Sequence, residues 1–130
     1  MEGFCPRCFA PMDADAGVCP ACGLQLERWN AKNYSAKLIH ALRHPLSEIR
    51  MRAIIAIGLR RDSRAADALV WCAFQHPTDV IEGLEIVRSL GQMEGSASAQ
   101  EALRKITARH PAHAVRVAAG EESTAEYRNN

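Results

Sequence analysis

Along most of this chain apolar residues recur with the 3.6-residue period of a helix, and the pattern repeats at long range. The clearest unit runs from Leu38 to Leu59, LIHALRHPLSEIRMRAIIAIGL. A stripe at Tyr34, Leu38, Ala41 and Leu42 predicts one helix, capped by Asn33 or Ser35. Pro45 ends it, and a second helix opens near Leu46 or Ser47. That second helix carries Ile49, Ala53, Ile54, Ile55, Ala56, Ile57 and Leu59, a run too broad for one buried face, so it is expected to be packed on several sides. His-Pro breaks return at His76-Pro77 and His110-Pro111, 32 and 34 residues after His44 and His76 in turn. Such a period marks a stacked helical array in which no unit is large enough to fold alone.

The later units follow the same grammar. Asp62 or Ser63 is expected to cap a helix from about Arg64 to Gln75 with Ala65, Leu69, Cys72 and Ala73 inward. Asp79 and Glu82 stand at capping-box spacing before Val80, Leu84, Val87 and Leu90, and Ser98 and Glu101 do so before Leu103 and Ile106. Gly58, echoed by Gly91, either closes its helix or admits a close neighbour. Val115, Ala118 and Ala119 predict a short last helix stopping near Gly120, and EESTAEYRNN after it lacks apolar periodicity and is expected to be disordered. The expected division is therefore residues 1–30, 31–120 and 121–130.

The first of these segments breaks the helical pattern with Cys5-Pro-Arg-Cys8 and Cys19-Pro-Ala-Cys22-Gly23. Each turn aims two thiolates at one point, proline sets the turn, and Gly23 can take positive φ after the second pair. Four thiolates suit tetrahedral Zn²⁺, and a closed four-sulfur site is structural. The stretch resembles a short zinc ribbon over residues 3–26, departing from it where Phe9 replaces the usual glycine. Two rival readings are iron, as in rubredoxins, whose pairs lie much further apart, and a two-Cys two-His site of Cys19, Cys22, His40 and His44, which would leave Cys5 and Cys8 idle. Leu24, Leu26 and Trp29 are expected to form the seam that docks the ribbon on the first helix. His40 reads as an exposed helix residue, and His44 as a ring favoured by the helix dipole.

The helical units, with HPLSEIRMRAIIAIG the clearest, resemble HEAT repeats of the bacterial kind first noted in phycobilin lyases, over residues 34–120. The resemblance implies an all-α fold, a short right-handed α-solenoid of three helical pairs behind the small four-cysteine zinc ribbon. It also implies a ladder of hydrogen bonds between repeats from an arginine early in each second helix. Arg50 and Arg116 fit that position, whereas Glu82-Gly83 stand there in the middle repeat, where the ladder is expected to be interrupted.

Composition sharpens this picture in three ways. Aromatic residues make up only 5% of the 130, which favours close-packed helices over sheet. No apolar run is long enough for a membrane span, the start lacks a signal-peptide pattern, and two tight cysteine pairs suit a reducing compartment, so a cytoplasmic protein is expected. The net charge of +1 divides unevenly: counting Lys and Arg against Asp and Glu gives 2 − 4 = −2 over residues 1–30, 13 − 8 = +5 over residues 31–119, and 1 − 3 = −2 from Gly120 onward.

No phosphate loop or nucleophile elbow is present, and histidines that recur at the repeat period read as structural. Cys72, on an alanine-leucine stripe, reads as a small core residue. The expectation is a non-enzymatic, zinc-binding adaptor for another protein, with no small-molecule substrate evident. Its anchor surface is placed on Trp71 and Phe74, which fall about 240° and 180° around the helix from Ala65, with Arg60 and Arg64 as a polar rim. A nucleic-acid role would use Arg43, Arg50, Arg52, Arg60, Arg61 and Arg64 with the ribbon; the alternative for these is a solvated face, with Arg52 paired to Glu48. The phycobilin lyase resemblance implies a third option, an accessory factor for cofactor or pigment attachment.

Overall fold

The computed structural model describes residues 2–13, 15–30 and 32–128. A hairpin of β1 (Glu2–Phe4) and β2 (Pro11–Asp13) and a short helix α1 (Leu26–Asn30) form the N-terminal unit, and the boundary expected at residue 31 falls on a residue outside this set. Six helices follow: α2 (Tyr34–Ala41), α3 (Ser47–Arg60), α4 (Ala66–Gln75), α5 (Val80–Gly91), α6 (Ala97–Arg109) and α7 (His113–Arg128). They pack as consecutive pairs, α2 on α3, α4 on α5 and α6 on α7. One layer continues from α3 to α5 to α7, and the other joins α4 to α6. This is the all-α stack of three helical pairs that the repeat period predicts. No helix among the described residues is long and apolar enough to cross a membrane.

Asn33 caps α2 by accepting from the Ala36 N–H, Asp79 caps α5 by accepting from the Glu82 N–H, and Asp62 caps the 3-10 turn Ser63–Ala65 ahead of α4. Two expectations change here. Ser96, rather than Ser98, caps α6 by accepting from the Ala99 N–H, and Glu101 pairs instead with Arg104 on the exposed face. At α5 only the Asp79 half of the capping box forms, because the Glu82 carboxylate is engaged elsewhere.

The layer of second helices is pressed together at its glycines. A Cβ on Gly58 would lie 3.0 Å from the Ser89 Cα, and one on Gly83 would lie 2.8 Å from Val115 Cγ2, so these glycines set helix approach rather than helix ends. The end of α3 falls instead to Arg61, a left-handed residue with φ 52°. At the far end α7 runs on to Arg128, against the expectation of a stop near Gly120 and disorder over residues 121–130. Gly120 is not among the positive-φ residues, and a Cβ there would meet Thr107 Cγ2 at an ordinary 3.7 Å, so neither backbone nor packing ends the helix there and it continues through. Residues 129 and 130 lie outside the described set.

Leu42, Ile54, Ile57, Leu69, Ile86, Leu90, Leu103 and Ile106 make the centre of the core. α3 packs on both α2 and α5 as its broad apolar run implies, but Ile55 and Leu59 of that run are exposed, the latter at 72%. In a stack the first pair has no preceding repeat to cover it. Ile54 has no exposed surface, and Ile54→Ala is expected to cost about 2 to 5 kcal/mol in denaturant unfolding. A cost below about 0.5 kcal/mol would place Ile54 outside the core.

Candidate metal site and its docking on the helical stack

The two cysteine turns are folded by the same hydrogen bonds. In the first, the Cys5 N–H donates to Ala10 O and the Phe9 N–H to Cys5 O, both at 2.8 Å. In the second, the Cys19 N–H donates to Leu24 O and the Gly23 N–H to Cys19 O, both at 2.9 Å. Each closes on a left-handed residue, Phe9 at φ 68° and Gly23 at φ 76°. The departure at Phe9 therefore leaves the turn intact and puts a side chain where glycine would carry none.

The turns bring all four sulfurs within 4.8 Å of one another, Cys5 to Cys22 at 3.6 Å and Cys8 to Cys19 at 3.7 Å. A tetrahedron with metal–sulfur bonds of about 2.3 Å has edges of about 3.8 Å, so Cys5, Cys8, Cys19 and Cys22 could hold a metal ion. Backbone N–H groups favour thiolates here: that of Leu24 is the main reason Cys22 is lowered to about 6, and that of Cys22 the main reason Cys19 is lowered. Cys8 goes the other way, to about 12. The Ala10 N–H favours its thiolate, but desolvation and the three neighbouring cysteines outweigh it. Four thiols this close ionise together only if a cation shares their charge.

His40 and His44 do not join this cluster. They are the ground on which it stands. His40 is half-buried rather than exposed: its Nε2 lies 2.6 Å from Arg7 O, and its ring meets Phe9 at 5.2 Å and Trp29 at 5.1 Å. His44 is buried and meets Phe9 at 4.6 Å and Phe4 at 6.0 Å. The expected seam is thus only partly right. Trp29 belongs to it, whereas Leu24 and Leu26 pack within the ribbon's own cluster, around Cys5, Met12 and Cys19. The sequence signal for the missing member was Phe9, an aromatic residue at a position that asks for glycine.

A non-glycine left-handed residue costs about 1 to 2 kcal/mol, which the contacts of the Phe9 ring offset. Phe9→Ala, which keeps the strain and loses the ring, is therefore expected to loosen the ribbon more than Phe9→Gly, by about 1 kcal/mol in hydrogen-exchange protection of residues 5–10. Equal protection in the two variants would show that no strain is held there.

Behind this face lies a polar cluster inside the stack. Arg50, 4% exposed, donates from Nε and Nη2 to the two carboxylate oxygens of Glu82, each at 2.9 Å, and Glu82 is 1% exposed. Its Nη1 donates to His44 O at 2.8 Å and Pro45 O at 3.0 Å, and the Cys72 thiol donates to Glu82 Oε1 at 3.1 Å. Burial foremost, then the Glu82 carboxylate, pushes the Cys72 thiol up and keeps it protonated. Repeat three echoes repeat one: Arg116 Nη1 donates to His110 O at 2.6 Å and Pro111 O at 3.0 Å. In both, the imidazole Nδ1 accepts the backbone N–H two residues on, Leu46 for His44 and Ala112 for His110. His44 is lowered by burial and by the Arg50 charge, in keeping with a neutral accepting ring. Glu82 thus joins the first two repeats by accepting what Arg50 donates, whereas Arg116 donates to His110 and Pro111 within its own repeat, so the ladder is not carried on to repeat three by these side chains.

The family model of HEAT repeats matches residues 35–123, more than half of the chain. The chain belongs to the HEAT-repeat family. No curated protein and no solved structure matches it.

Within this HEAT stack the anticipated anchor residues scatter. Trp71 is 42% exposed with the Arg43 guanidinium over its ring at 5.5 Å, but Phe74 is half-buried against the core and the His110 ring at 5.5 Å. Arg60 lies over Tyr34 at 4.9 Å, and Arg64 pairs with Asp62 at 3.0 Å and donates to Ser35 Oγ. Of the six arginines considered for nucleic acid, five are exposed and one is not. Arg50 is buried on Glu82 and Arg64 is tied to Asp62, and no Glu48–Arg52 ion pair forms among the described residues. Sequence reasoning also passed over Ile81, 74% exposed on α5, because its neighbours Val80 and Leu84 made the run read as core.

Proposed function

We propose that this HEAT protein is a non-catalytic adaptor that binds another protein, with one structural zinc ion holding its ribbon against the first repeat. The observation that carries the reading is the employment of its reactive side chains. Arg50 and Cys72 both donate to Glu82, His44 and His110 accept backbone N–H groups, and four of the five cysteines converge on one point. What remains at the surface is helix faces, with Trp71, Ile81 and Leu59 among the large apolar residues on offer. Closed four-sulfur sites without an open position support folding rather than reaction, and the sulfur spacing suits zinc. A HEAT stack presents an extended surface whose use is binding, although the fold alone names no partner.

The test is purification of the tagged, zinc-loaded chain from its own cells, beside the Trp71→Ala variant. A stoichiometric protein retained by the first and lost from the second, at unchanged melting temperature, is the expected result. Lost stability in the variant would return Trp71 to the core. Nucleic acid in place of protein, released steeply as salt rises, would favour the basic-face reading instead.

A further inference from the structure

The first-helix layer is not continuous. α4 packs on α6, but α2 and α4 are not among the closely packed pairs, and a groove of about 660 Å³ lies between them. The cause is the way α2 is held. Ser35 at its start donates to Asp62, with Arg64 on the same hydroxyl, and His40 at its end is bound to the ribbon through Arg7 O. Held from both ends, this eight-residue helix leaves its flank toward α4 uncovered. Ile39 and Ala68 line the groove, Trp71 stands at its side, and Lys32, Arg43 and Asp67 supply its charge.

We propose that this groove receives an acidic amphipathic helix of a partner protein. The inference rests on the adaptor reading and gives its partner a chemistry. Three observations select that occupant. The gap lies in a layer of helices, so a helix supplied from outside can complete the packing that α2 and α4 do not make with each other. Small side chains, Ala36 and Ala68, let a backbone come close, and Trp71 offers a large apolar surface of the type that dominates binding. Two cations and one carboxylate line the groove, and both cations already sit on aromatic rings: Arg43 on Trp71 at 5.5 Å and Lys32 on Trp29 at 5.0 Å. A guanidinium so placed is preorganised to take a carboxylate beside an apolar stripe, and a basic helix would be repelled from the same place.

The experiment selects helical peptides from a displayed library against the full zinc-loaded chain, then measures the winners by titration against Arg43→Glu, Trp71→Ala and Ile81→Glu. The expected winners carry Leu, Ile or Phe at helical spacing flanked by Asp or Glu. Arg43→Glu and Trp71→Ala should each weaken them at least tenfold, and Ile81→Glu, on the opposite layer, should leave them unchanged. Arg43 is exposed, so its variant tests the groove without testing the fold. Basic winners, or acidic winners lost with Ile81→Glu and kept by Arg43→Glu, would overturn the groove while leaving the adaptor reading standing. A peptide corresponding to residues 120–130 of this chain that competes with the winners would make the occupant a second copy and overturn the partner. Failure of the purification to yield any protein partner, by contrast, removes the adaptor reading itself.

Discussion

Stripping the metal from the intact chain is expected to unfold the ribbon and leave the HEAT stack standing. The reason lies in how little else holds the first thirty residues. Their buried set is Cys5, Met12, Cys19, Leu24 and Trp29, and two of those five are candidate ligands. The stack has a separate core running from Leu38 to Ala119 that contains none of the four clustered cysteines. In zinc-finger peptides the ion supplies about 10 to 16 kcal/mol, far more than so small an apolar cluster can. A chelator should therefore remove amide protection from residues 2–30 and change little of the helical circular dichroism. Because His40 and His44 lose the Phe9 ring at the same time, their resonances should move although neither is a ligand. Elemental analysis should give one zinc per chain. Iron, less than about half an equivalent of any metal, or a ribbon that stays protected without it would each defeat the expectation.

What the sequence made legible was whatever repeats. Helical period, His-Pro spacing and paired cysteines each occur more than once, and the elements they predicted are those found: α2 to α7 in three pairs, and four sulfurs within 4.8 Å. What it hid was whatever depends on two distant segments meeting. Phe9 looked like a fault in a turn, yet its ring joins the ribbon to His40 and His44, more than thirty residues away. The end of α7 was hidden for a related reason. Gly120 reads locally as a stop, and only its ordinary helical backbone, with α7 lying along α6, shows that the helix runs through it. Trp71 and Phe74 show the limit of a helical wheel. It put both outside, and the structure exposes Trp71 but turns Phe74 onto His110.

Glu82 is the sharpest case, because the same residue that broke the expected arginine pattern turns out to be the partner of the arginine one repeat earlier. Glu82→Ala is expected to cost about 3 to 5 kcal/mol, since it leaves the Arg50 guanidinium buried with no counter-charge. The Cys72 thiol would lose its acceptor in the same step. Glu82→Gln, which keeps an acceptor but not the charge, should cost less. Replacing both partners by apolar residues, Arg50→Met with Glu82→Leu, should recover part of the loss but not all of it. That double variant removes the unpaired charge, yet it orphans the carbonyls of His44 and Pro45 that Arg50 Nη1 satisfies. Arg116 supplies the internal control: it makes the same two carbonyl bonds to His110 and Pro111 from a half-exposed position, so Arg116→Met should cost clearly less than Glu82→Ala. Denaturant unfolding of the five proteins, wild type included, measures the set. If Glu82→Ala costs under about 1 kcal/mol, the Arg50–Glu82 bridge does not hold the first two repeats together, and their joining rests on other contacts, the Ile54, Ile57 and Ile86 packing and the Ser89 Oγ bond to Ile54 O among them.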